Sequence, residues 1–146
     1  MRHKLCLTVS ALLALFSLAA CGPKFGDGCK KSTDCSVRGD RICDLAQPGG
    51  YCTIANCKPG DCGDDGVCVR FRPAEPRLAT SYCMAKCDTT SDCDRDAYVC
   101  RSAADLNKSM RGAAENEDED EDMSVEDFAE VVDGSGRSKF CVAREE

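Results

Sequence analysis

The sequence contains no tryptophan and one histidine, His3. With histidine confined to the first three residues, the rest of the chain cannot build a Ser-His or Cys-His nucleophile pair, a histidine general base or a histidine-containing zinc site. No two cysteines are separated by two residues. The nearest approach is Cys83-x3-Cys87, so a thioredoxin-like redox pair is unsupported. Glycine-rich phosphate fingerprints are also missing. Large apolar side chains are scarce: from Cys21 onward the 126 residues include 17 Leu, Ile, Val or Phe. That share, about 13%, is too low for a conventional core of this length. Carboxylates are plentiful, but paired-carboxylate catalysis needs a pocket that so thin a core has little means to enclose. The expectation is a non-catalytic chain without catalytic residues, a cofactor or a metal site.

Cysteine is what the chain has in excess, 14 residues in 146. The first two need separate accounting. Arg2, His3 and Lys4 form a positive start, and Leu5 to Ala20 is a 16-residue apolar run broken only by Cys6, Thr8, Ser10 and Ser17. That length suits a signal-peptide core and falls short of a membrane span of ~20 residues. Leu18-Ala19-Ala20-Cys21 resembles the lipobox of bacterial lipoproteins. The resemblance implies that residues 1–20 are removed as a signal peptide and that Cys21 is the lipidation site, with a diacylglyceryl group on its sulfur and usually a third acyl chain on the new amino terminus. About two chains suffice for stable anchoring. An ordinary secretory signal is the alternative, and cysteine parity speaks against it. Losing Cys6 and consuming Cys21 leaves twelve cysteines, whereas ordinary cleavage leaves thirteen. In Gram-negative lipoproteins an Asp after the lipidated cysteine favours inner-membrane retention; Gly22 stands there, which implies an outer-membrane location. Residues 21–28 then serve as lipid anchor and tether, a reach of at most ~28 Å.

The twelve remaining cysteines divide into three sets of four. Module one, residues 29–56, runs Cys29-x5-Cys35-x7-Cys43-x8-Cys52. Module two, residues 57–86, runs Cys57-x4-Cys62-x5-Cys68-x14-Cys83. Module three, residues 87–146, runs Cys87-x5-Cys93-x6-Cys100-x40-Cys141 and carries an acidic insertion, residues 101–138. Neighbours repeat with the cysteines. Asp34, Asp61 and Asp92 precede each second cysteine; Ile42, Val67 and Val99 precede each third; Tyr51, Tyr82 and Phe140 precede each fourth. An Asp before a cysteine can accept backbone N–H bonds and fix a turn. A β-branched residue and an aromatic beside the last two cysteines suggest a short hairpin whose side chains cover the bridges. Three modules of four cysteines allow three pairings each, and first-to-third with second-to-fourth is the expected one. At ~2–4 kcal/mol per bridge, six bridges outweigh what the small core supplies.

This pattern resembles the cysteine-rich C-x4/5-D-C repeats of predicted surface lipoproteins from myxobacteria and related bacteria, and more loosely EGF-like and Dickkopf-type modules. The resemblance implies adhesion or interaction modules without catalytic residues. The expected fold is small and disulfide-rich: three four-cysteine modules with short β-hairpins and irregular loops, and one or two short helices in the last module.

Two loops depart from the repeat. The module-two loop holds Arg70-Phe71-Arg72-Pro73, with Pro76-Arg77 beyond it. Arg70, Phe71 and Arg72 are the candidate interaction residues, since arginine and aromatics are enriched at interfaces; a solvated loop with Phe71 folded over a bridge is the plainer alternative. One such stretch is no nucleic-acid signature. In module three, Glu115 to Asp133 holds eleven acids and no base. Such a block repels itself and is usually solvated, although it can also dock on Arg70, Arg72 and Arg77. As a calcium loop starting at Asp118 it fails the EF-hand template, with Met123 where Gly is required and Ala129 where Glu is required. Val125, Phe128, Ala129 and Val132 follow helical spacing, which predicts a short helix over Val125 to Val132 after the cap-like Ser124-Val125-Glu126-Asp127. A second helix is expected over Arg101 to Ala114.

Three functions fit these residues: an outer-membrane-anchored binding module that meets a protein at the cell surface or envelope, an accessory subunit of an envelope complex for adhesion, secretion or motility, and a weak metal-binding protein. The membrane is a partner in all three through the lipid, and nucleic acid in none.

Overall fold

The computed structural model describes residues 22–75, 77–114, 127–133 and 136–144. The lipobox, the segment before it and most of the acidic block therefore lie outside the described residues. Six disulfides join all twelve described cysteines: Cys29–Cys43 and Cys35–Cys52, Cys57–Cys68 and Cys62–Cys83, Cys87–Cys100 and Cys93–Cys141. Every bridge links first to third or second to fourth within one module.

The backbone explains that pairing. Strands β1 (Ile42–Asp44) and β2 (Tyr51–Thr53) form an antiparallel ribbon. Strands β3 (Gly66–Phe71), β4 (Thr80–Cys87), β5 (Tyr98–Ser102), β6 (Ala129–Val131) and β7 (Lys139–Ala143) form one sheet in the order β5-β7-β4-β3-β6. In each module the third and fourth cysteines sit directly opposite across a strand pair: Cys43 and Cys52, Cys68 and Cys83, Cys100 and Cys141. Neither member bonds the other. Each reaches instead to a cysteine in the segment before the pair, which in module three begins at Cys87, the last residue of β4, so that segment is stapled to both strands.

The segment itself is shaped by the repeated aspartates. The Asp34 carboxylate accepts the Lys30 and Lys31 N–H groups at 2.9 and 3.1 Å, at the short helix α1 (Ser32–Cys35). The Asp61 carboxylate accepts the Lys58 N–H at 2.8 Å, and that of Asp92, in the 3-10 turn Thr90–Asp92, accepts the Asp88 and Thr89 N–H groups at 3.0 and 2.7 Å. These donated bonds, above all from Lys30 and Thr89, hold the Asp34 and Asp92 carboxyls below the usual carboxylate range.

The flanking apolar residues behave differently from expectation in modules one and two. Side chains alternate along a strand, so a residue next to a cysteine faces away from the bridge. Tyr51 and Val67 therefore leave their own disulfides and enter a shared core with Val69, Met84, Tyr98 and Phe140. Module one's bridges form a separate small cluster of their own.

The three modules are thereby fused. Strand β4 runs through the boundary between modules two and three, β7 pairs with its end at Lys86 and Cys87, and β6 pairs with β3. Module one is fastened by its Tyr51, whose hydroxyl accepts the Ala85 N–H at 2.8 Å and donates to the Cys141 carbonyl at 3.3 Å. Arg95 completes the junction. Its guanidinium lies 4.4 Å from the Tyr98 ring centroid and donates to the carbonyls of Gly26 at 3.0 Å, Gly50 at 2.7 Å and Pro48. Gly50 takes a left-handed turn with φ of 72°, where a Cβ would lie 2.1 Å from the Cys29 carbonyl oxygen.

The segment assigned as tether is partly folded. Phe25 is buried among Cys57, Cys62, Cys68 and Cys83, and its ring lies where a side chain on Gly66 would have to go. The Gly26 N–H donates to the Cys52 carbonyl and the Cys52 N–H to that of Asp27. Pro23 and Lys24 are tied down as well, the Pro23 carbonyl accepting from the Arg41 guanidinium and the Lys24 N–H donating to the Asp27 carboxylate at 2.7 Å.

Of the two helices expected in module three, the first forms as α2 (Ala103–Ala114). The second does not. Within Val125 to Val132, Ala129–Val131 is the edge strand β6, paired with Val69, Arg70 and Phe71 of β3. Eight residues are too few to hold an isolated helix, and the open edge of β3 offers backbone bonds that outcompete it.

Removing the junction should separate module one. Arg95→Ala is expected to cost about 2–4 kcal/mol in reversible unfolding, because a charged donor to three carbonyls is lost; a change below about 0.5 kcal/mol would contradict this role. Tyr51 gives a pH test. Burial pushes its phenol up, above the ordinary value of about 10. A raised folded value means that the neutral phenol's stabilisation is fully present below pH ~10 and is lost as pH rises beyond it. Ultraviolet titration at alkaline pH should show Tyr51 ionising only together with unfolding; ionisation at an ordinary value in the folded protein would refute its burial.

Candidate functional site

Where the three modules meet, the fold leaves a cleft of about 410 Å³. Its floor is the face of the sheet that carries Tyr82 and Met84 of β4 and Val142 of β7. One wall is α2, through Leu106 and Met110; another is the β1–β2 ribbon, through Asp44, Gln47 and Thr53. Phe71 and Phe128 close the remaining side. Such a volume with mostly apolar walls and a few polar groups is the ordinary form of a ligand-binding site.

The sequence explains the α2 wall. Ala103, Leu106 and Met110 fall at i, i+3 and i+7, so one helix face is apolar; the first two are buried and Met110 is 38% exposed. Ser102 and Asp105 cap the helix, the Ser102 hydroxyl donating to the Asp105 carboxylate at 2.6 Å and accepting the Asp105 N–H at 3.1 Å. That hydrogen bond is the main reason the Asp105 carboxyl lies below its usual range.

Asn107, one residue beyond Leu106, is buried and holds the opposite wall in place. Its amide donates to the Ala129 carbonyl at 3.0 Å and its oxygen accepts the Ala129 N–H at 2.8 Å. The side chain thus imitates a neighbouring strand and satisfies both backbone groups of Ala129. Two ion pairs reinforce the position: Arg111 with Asp127 at 3.1 Å and Arg70 with Glu130 at 2.5 Å, all on exposed ground.

The interaction residues expected from sequence separate here. The Phe71 ring packs 6.4 Å from Tyr82 and 5.9 Å, edge-on, from Phe128, as part of the cleft. Arg70 is committed to Glu130, which realises one contact between the basic loop and the acidic segment. Arg72 is exposed and turns the chain with φ of 49°, its N–H donating to the Phe128 carbonyl at 2.7 Å. Sequence reading missed Arg95, Asn107, Phe25 and both cleft methionines. Only Leu106 and Met110 had a signal, the helical spacing within Arg101 to Ala114.

For a metal, the described residues offer three sets of close sulfurs: Cys29, Cys35 and Cys43; Cys57, Cys62 and Cys68; Cys87, Cys93 and Cys141. The atoms of each set lie within 4.8 Å of one another. All nine are in disulfides, and a disulfide sulfur is not the thiolate that a metal requires. Among the described residues no helix is long and apolar enough to cross a membrane.

No protein-family model matches the chain, and neither a curated protein nor a solved structure matches it.

Replacing Asn107 by leucine keeps the volume and strands the Ala129 N–H and carbonyl without partners. Asn107→Leu should cost about 2–6 kcal/mol, from two buried groups at ~1–3 each, and should raise hydrogen exchange at Ala129 selectively. Unchanged exchange there would show that β6 does not depend on the amide.

Proposed function

We propose that the chain is a non-catalytic interaction module of the bacterial envelope, held at the outer membrane by lipid on Cys21. The observation that carries this reading is the bridging of all twelve described cysteines into one fused scaffold. Stapled loops pre-organise a surface, and pre-organisation lowers the ordering cost of meeting a partner. The cleft supports it as well, because it is a concave, largely apolar site without an acid–base pair lining it. Disulfides persist in oxidising compartments, in keeping with a location outside the cytoplasm. Phe25, buried four residues after Cys21, brings the scaffold close to the bilayer.

A metal-binding reading draws on the three sulfur clusters and requires them reduced. Intact mass of the detergent-extracted protein separates the two. The expected result is an acylated Cys21, no alkylation of the native protein, twelve alkylated thiols after reduction, and loss of the lipid mass in Cys21→Ser. Free thiols with retained zinc would overturn the interaction reading in favour of metal. In cells, photo-crosslinkers placed around the cleft should trap a discrete envelope protein; an absence of any crosslinked product would contradict an interaction module.

A further inference from the structure

The two bridges of module three lie close enough to trade partners. We infer that they form a thiol-triggered switch. An external thiol entering at Cys100 moves Cys87–Cys100 and Cys93–Cys141 to Cys87–Cys93 and Cys100–Cys141, which slackens the cleft wall that Arg95 holds. The exchange is built from described residues alone, and its bearing on binding rests on the interaction-module reading.

Entry is set by exposure. Cys87, Cys93 and Cys141 are buried, whereas Cys100 is only half-buried, and attack on a disulfide needs access to one of its sulfurs. The relay is set by distance: the Cys87 sulfur lies within 4.8 Å of both sulfurs of the Cys93–Cys141 bridge. The exit is set by register. Cys100 and Cys141 stand directly opposite each other on β5 and β7. The Cys100 N–H donates to the Thr90 hydroxyl at 3.4 Å, and the Cys141 carbonyl accepts from the Tyr51 hydroxyl at 3.3 Å. Those groups are therefore not spent across the strand pair, the mark of a non-hydrogen-bonded pair with Cα atoms ~4.5 Å apart and side chains close. A disulfide spans that separation.

Three displacements complete the exchange. A thiolate bonds to the Cys100 sulfur, and the Cys87–Cys100 bond breaks with its electron pair left on Cys87. The Cys87 thiolate bonds to the Cys93 sulfur, and the electron pair of the Cys93–Cys141 bond passes to Cys141. The Cys141 thiolate then bonds to the Cys100 sulfur and expels the external thiolate. Two disulfides enter and two leave, so nothing is oxidised or reduced overall and the thiol is returned.

Arg95, two residues after Cys93, carries the consequence. Its guanidinium holds the Pro48 and Gly50 carbonyls, and neighbouring Asp44, Ala46 and Gln47 line the cleft. Exchange shifts the anchor of the Arg95 turn from β7 to the end of β4 and draws the guanidinium off those carbonyls.

The probe is glutathione buffer at mildly alkaline pH, added to the purified oxidised protein, followed by acid quench, disulfide mapping and hydrogen exchange on the same sample. Cys87–Cys93 and Cys100–Cys141 peptides should form at least about tenfold faster than any re-pairing in module two, whose four cysteines are all buried. Hydrogen exchange should rise across β1 and β2 with them, while β3 and β4 stay protected. Cys100→Ser leaves Cys87 as a thiol and should place the free thiol on Cys141 without any added reagent. Native pairing throughout, a free thiol confined to Cys87 in the variant, or re-pairing with an unchanged β1–β2 ribbon would each overturn the switch. Fixed pairing with a crosslinked partner still trapped removes the switch alone. Exchange without any crosslinked partner removes the interaction reading and leaves the sulfur chemistry standing.

Discussion

The fold depends on one arrangement made three times: two cysteines face each other across an antiparallel pair, and each is bonded to a cysteine in the segment before it. Bonds between directly opposite cysteines would leave the segment before each pair unattached to the strands. Crossing both bonds to that segment closes circuits of 11 to 48 residues, and closing longer circuits removes more freedom from the unfolded chain. The aspartate before each second cysteine makes this possible by turning the loop back with its own carboxylate. Stability is thereby relocated from apolar burial to covalent topology, which is how a chain with so few large apolar residues remains ordered.

Because the bridges occupy one side of their strands, the residues between them are free to build something else. Tyr51, Val67 and Phe140 sit beside cysteines in sequence but converge on a core that belongs to no single module. Arg95 and Tyr98 then bind module one to module three through carbonyls of Gly26, Pro48 and Gly50, groups that a loop exposes and a cation can collect. The cleft is a by-product of this convergence. A ribbon, a sheet and a helix meet there without filling the space between them.

Much of this was legible in the spacing of cysteines and their neighbours: the three modules, the strand pairs, the aspartate turns and the pairing scheme all follow from residues at fixed offsets. What the spacing could not reveal was contact between modules. Strand alternation sends Tyr51 away from its disulfide, and no local pattern says what it meets. Phe25 looked like part of a tether because nothing near it in sequence marks the hole left by Gly66. The helical spacing at Val125 to Val132 was real as a pattern, but the edge of β3 offered a long-range partner for the same residues. Of the cleft, the apolar face of α2 and the prominence of Phe71 could be read in advance; that the Phe71 ring forms a wall with Tyr82 and Phe128 could not.

If covalent topology carries the stability, its removal should be decisive. Complete reduction and alkylation without denaturant, followed by proton NMR and circular dichroism across a thermal ramp, bears on this most directly. Collapse of amide dispersion and loss of any cooperative transition are the expected results. A reduced chain that kept dispersed resonances and melted cooperatively would show that the shared core of Tyr51, Tyr98 and Phe140 suffices on its own, and that the bridges merely decorate it.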